Sequence, residues 1–131
     1  MRIPQVIMAV GLVVLAGLLL TQQRHPLRYN PSAEVTLSGV VKDVKDFYCP
    51  VSGGEGTHLM VATDNGTVEV HVAPSRFLLD KQVQFSKGDQ VEVTGSRIMF
   101  RGHPAVIART IVRGTQTVAL RKADGKPAWL E

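Results

Sequence analysis

Residues 6–20 form an unbroken run without a polar side chain, preceded by Arg2 and the α-amino group. A stretch of that kind must leave water, so the 131-residue chain divides into an apolar leader and about 100 residues free to make one small domain. From Ile3 to Thr21 a helix would rise roughly 28 Å, close to the thickness of a bilayer core. The run ends in Leu19 and Leu20 and is followed by Thr21, Gln22 and Gln23, not the small residues a signal peptidase prefers. The expected organisation is therefore an uncleaved signal anchor over 1–22, a linker over 23–33, a barrel domain over 34–122 and a tail over 123–131. A cleaved signal with a periplasmic product is the alternative. Under the positive-inside rule Arg2 and the α-amino group compete with Arg24 and Arg28 beyond the run, and the favoured orientation is N-terminus inside and domain outside a bacterial cytoplasmic membrane.

A sequence pI near 9.6 first suggests a polyanionic partner. The excess is local, because Arg2, Arg24 and Arg28 precede Glu34 with no acid among them, while Glu34 to Glu131 holds 12 bases against 11 acids. Inside the domain, 93–123 has six bases and no acid. The basicity belongs largely to the flanks of the apolar run. The single cysteine excludes a disulfide framework within the chain and any Cys-x-x-Cys motif.

From Val35 onward, period-two alternation is punctuated by glycine turns. Strands are expected over 35–44, 58–63, 67–73, 90–97, 104–112 and 117–121, with a short helix over 75–82 starting from a Ser75 cap. Pro50, Gly53, Gly54 and Gly56 make 47–57 a long loop, and Gly39 marks a bend in the first strand. Ser38-Gly39-Val40-Val41 and Phe85-Ser86-Lys87-Gly88-Asp89-Gln90-Val91-Glu92-Val93-Thr94-Gly95 resemble the first and fourth strands of the OB-fold. That resemblance implies a mainly β, five- to six-stranded Greek-key barrel with one short helix, here preceded by an N-terminal transmembrane helix. Thr57-His58-Leu59 and Val68 to Pro74 are similar to small bacterial envelope proteins with one OB domain behind a signal or anchor. The chain also bears a weaker resemblance to the soluble domain of small magnetosome-membrane proteins.

Function is sought on the barrel surface, since fold alone does not supply it. Phe47 and Tyr48 are adjacent aromatics in an expected polar loop, next to His58 and His71, and so are candidate contacts for a protein or small ligand. Such a module would not be an enzyme, because no Ser/His/Asp or Cys/His catalytic motif is recognisable. Its partners would be the membrane, through the N-terminal helix, and a protein of the cell envelope.

A second reading is metal handling. With Asn65-Gly66 as the hairpin turn, Met60 pairs with His71, and His58 falls diagonal to His71 on an outward face. Two imidazoles and a thioether, His58, Met60 and His71, would take copper or zinc. Cys49 could approach from the loop, pack there, or form an intermolecular disulfide. A third reading places single-stranded nucleic acid on Arg97, Arg101, Arg109 and Arg113. The strand-two and strand-three face offers no aromatic for stacking, so nucleic acid is not expected. Membrane-anchored haem chaperones share the layout but hold haem through a histidine closely followed by tyrosine. Here Pro104, Ala105 and Val106 follow His103, and no tyrosine lies beyond Tyr48.

Overall fold

The computed structural model describes residues 27–49, 51 and 53–130. The expected membrane span at 1–22 lies outside the described residues. Among those described, no helix is long and apolar enough to cross a membrane.

Six strands follow in order: β1 (Glu34–Cys49), β2 (Gly54–Thr63), β3 (Gly66–Pro74), β4 (Gln90–Phe100), β5 (His103–Arg113) and β6 (Gln116–Ala119), with one short helix, α1 (Ser75–Asp80), between β3 and β4. The sheet order is β3-β2-β1-β4-β5-β6, and a parallel pairing of β3 with β5 closes it into a barrel. The first half of β1 pairs with β4 and its second half with β2, the change of partner falling at Val40. Gly39 stands at that change. A Cβ there would meet the Ala62 carbonyl oxygen at 2.3 Å, so the bend read from the sequence requires glycine. Gly95 is the counterpart on β4, where a Cβ would fall 2.1 Å from the Ile107 carbonyl oxygen.

Alternation decides what fills the barrel. Leu59 and Val61 of β2, Val70 and Val72 of β3, Val93 of β4 and Ile111 of β5 are buried in one apolar cluster, and removing this surface from water drives closure. Leu78 of α1 and Phe85 cover one end. The helix spans 75–80 rather than 75–82, and Ser75 does not cap it. Pro74 occupies the cap position with no side-chain bond, while the Ser75 hydroxyl donates to Asp46 Oδ1 at 2.9 Å.

Two expectations fail in ways that matter for function. The loop expected over 47–57 is mostly strand: β1 runs to Cys49 and β2 resumes at Gly54. Gly54 pairs with Cys49 and Gly56 with Phe47, so these glycines sit in the ladder opposite larger side chains. The β2–β3 hairpin also turns one residue earlier than Asn-Gly suggests. Asp64 and Asn65 form its tip, Thr63 pairs with Gly66, and among these only Gly66 has positive φ, at 115°. A turn with both tip residues at negative φ leaves the glycine to open the next strand. Each pair from Ala62–Thr67 down to His58–His71 shifts by two residues as a result.

Candidate metal centre

The shift sets His58 directly opposite His71, and Met60 opposite Glu69. A two-residue shift preserves the faces, so both imidazoles still project from the side of the ribbon opposite Leu59, Val61 and Val70. That side is not solvent here. His58 is 0% and His71 2% exposed, which corrects the outward, accessible placement expected from alternation. The covering groups come from the strand ends. Extended β1 brings Phe47 to 3.9 Å from His58, ring centre to ring centre, and Phe100 at the end of β4 lies 4.6 Å from His71. The Arg101 guanidinium rests over both phenyl rings, 5.9 Å from Phe47 and 5.0 Å from Phe100. Arg101 holds a left-handed backbone, φ 51°, at the β4–β5 turn.

Cys49 completes the group. It is buried at the end of β1 with Sγ 3.4 Å from His71 Nδ1. One donor atom each from Cys49, His58 and His71 lies within 4.8 Å of the others. His58 Nδ1 is 3.2 Å from Glu69 Oε1. An ionised carboxylate only accepts, so this contact places the proton on Nδ1 and leaves Nε2 with its lone pair. The two rings stack at 4.3 Å, and Nε2 of each is buried with no hydrogen-bond partner. Burial acts to lower the His58 pKa, but its contacts with Cys49 and Glu69 outweigh that and hold it above the ordinary imidazole value.

Leaving a buried polar atom unsatisfied costs about 1–3 kcal/mol. The two rings and the Cys49 thiol bring one donor atom each within reach of the others, a set that a cation would satisfy. The donors are one sulfur and two imidazoles, suited to copper, zinc and other soft or borderline metals rather than to calcium or magnesium. Glu69, on the far nitrogen of His58, is placed as the orienting carboxylate that metal-binding histidines commonly have. A cavity of about 10 Å³ adjoins Cys49 and His71, lined also by Ile107, Arg121 and Trp129.

The other expected residues distribute as follows. Met60 is half-buried and stands opposite Glu69 rather than His71, while Cys49 joins the two histidines as a donor. Phe47 and Tyr48 lie on strand, not loop, and face opposite ways: Phe47 packs on His58, while Tyr48 is 66% exposed. Of the arginines, Arg109 is ion-paired with Glu34, and Arg113 with Asp89 at 2.9 Å. Arg101 is engaged with the phenyl rings, and Arg97 is exposed. They do not line up as a free basic groove. Tyr29 joins the Arg109 pair by donating to Glu34 at 2.6 Å. Burial and the Glu34 carboxylate push its pKa up to about 12.

Three comparisons bear on this architecture. Residues 33–118 match the family model described as the MamS/MamX magnetosome protein family. Among solved structures, a chain from the crystal structure of the S. pombe Stn1-Ten1 complex is similar over 68% of this chain and 71% of that one, with 14% identity and a TM-score of 0.47. A search of curated proteins finds no significant match.

Proposed function

The chain belongs to the MamS/MamX magnetosome protein family, and from that premise we propose a non-enzymatic metal-binding module, anchored by the apolar run at 6–20 with its barrel on the extracytoplasmic side. The ion is held by Cys49, His58 and His71. The observation that carries this reading is the convergence of Cys49 with two buried histidines whose Nε2 atoms have no hydrogen-bond partner. Membership of a magnetosome family and the length of the apolar run support the membrane placement.

Equilibrium dialysis of the full-length protein in detergent, against copper and zinc in separate experiments under reducing conditions, tests the site. One metal ion retained per chain, lost in Cys49→Ser and His71→Leu but kept in Met60→Leu, is the expected result. No retention of either metal would reject the reading.

A second reading, docking of a protein partner in the cell envelope, is favoured by Tyr48, which stands 66% exposed beside the site. A photoreactive residue at position 48 would crosslink that partner in intact membranes. Absence of any adduct would end this reading.

A further inference from the structure

The donor set, its charge surroundings and the room around it bear on which ion the site takes. We propose that the ion is monovalent copper, held by three ligands and preferred over zinc. This rests on the metal-binding reading above.

Coordination number is the first ground. Among the His, Cys, Asp and Glu side chains of the described residues, three donors come together here. Zinc is almost always four-coordinate, through protein ligands or an added water. The cavity beside Cys49 and His71 measures about 10 Å³, and the rest of its wall is apolar except for Thr57, whose hydroxyl donates to Asp46, and Arg121, which can only donate. That volume is the lower limit of room for one water, and a water needs at least two polar partners to stay. Cuprous ion, by contrast, is satisfied by a soft sulfur and two imidazoles.

Charge is the second ground. Glu69 lies on the outer side of His58, the Arg101 guanidinium over Phe47 and Phe100, and Arg121 against the cavity. These three groups sum to a positive surrounding. Cu(I) bound to the Cys49 thiolate makes a neutral centre, whereas Zn(II) on the same thiolate adds a positive charge between phenyl rings. A net charge in apolar surroundings is costly. Binding balances as Cu(I) plus the Cys49 thiol giving a copper–sulfur bond and one proton released to solvent. No oxidant or reductant is required.

The test is a competition on the full-length protein in detergent micelles, reduced and free of oxygen, with Cu(I) supplied as its bicinchoninate complex. The protein should withdraw one Cu(I) per chain, release about one proton per copper, and keep most of it against about a 100-fold excess of Zn(II). Cys49→Ser and His58→Gln should each weaken Cu(I) uptake more than about 100-fold, beyond the range that loss of an orienting residue produces. Met60→Leu should leave it unchanged. Thermal melts of the metal-free variants separate loss of ligand from loss of fold. Displacement of copper by zinc would overturn the cuprous assignment while leaving the metal site standing. Uptake of neither ion would overturn both, and Cu(I) uptake unaffected by Cys49→Ser would overturn the assignment of the ligands.

Discussion

The β2–β3 ribbon has two buried faces, and they are buried for different reasons. Toward the barrel axis, Leu59, Val61, Val70 and Val72 pack in an apolar cluster, and each side chain gains by leaving water. On the opposite face, His58 and His71 are equally inaccessible, yet their Nε2 atoms have no hydrogen-bond partner. Packing alone explains the first face. The second leaves polar atoms unpaired, a cost that a cation bound among the donors would offset. On the proposed reading, stability and metal binding are carried on opposite sides of the same two strands.

Truncation on the inner face should produce the largest effect. Leu59→Ala is expected to cost about 2–5 kcal/mol in urea unfolding, because a fully buried side chain leaves a cavity, with metal stoichiometry unchanged in the fraction that folds. Next in size is the orienting carboxylate. Glu69→Gln should weaken metal binding by about 10–100-fold and leave the melting temperature of the metal-free protein near its original value. An unchanged metal affinity would show that the Glu69 contact does not set the His58 tautomer.

The sharpest contrast with Leu59 comes from His71→Leu, measured without metal. Removing an unsatisfied nitrogen from a dry pocket should leave stability equal or raise it by about 1 kcal/mol, while metal retention disappears. A loss as large as that of Leu59→Ala would erase the distinction between the faces.

The smallest effect lies away from both. Asp89 accepts from the Ser86 backbone and pairs with Arg113, which hold its pKa below the ordinary carboxylate value. Its contribution is therefore complete above the unfolded value of about 4 and is lost as the pH falls from there through the depressed folded value. In Asp89→Asn that part of the acid sensitivity should vanish, leaving stability between neutral pH and about pH 5 lower but flat with respect to this group.

The barrel was legible in the sequence because its signals are local. Period-two alternation located the strands, and Gly39 announced a bend that the Ala62 carbonyl does require. The site was legible only in part. His58 and His71 were paired on one face, but through a turn one residue out of place, because Asn65-Gly66 reads as a tip when only Gly66 takes positive φ.

Cys49 was assigned to a loop, since Gly54 and Gly56 look like loop residues until Phe47 and Cys49 stand opposite them. Extending the alternation of β1 through Phe47 and Cys49 would have placed both on the histidine face. Burial of that face had no sequence signal of its own. It depends on Phe47, Phe100 and Arg101 meeting from separate strands, which is a property of barrel closure and not of any one segment. Similarly, the four arginines suggested a basic edge, and long-range pairing with Glu34 and Asp89 disperses it.

The central claim, one metal ion bound by Cys49, His58 and His71, is tested most directly by X-ray absorption at the copper edge of the full-length protein loaded with Cu(I). The account predicts one sulfur and two imidazole nitrogens as direct neighbours of the metal, with the sulfur lost in Cys49→Ser. A shell of nitrogen and oxygen alone, or a sulfur that persists in that variant, would contradict it.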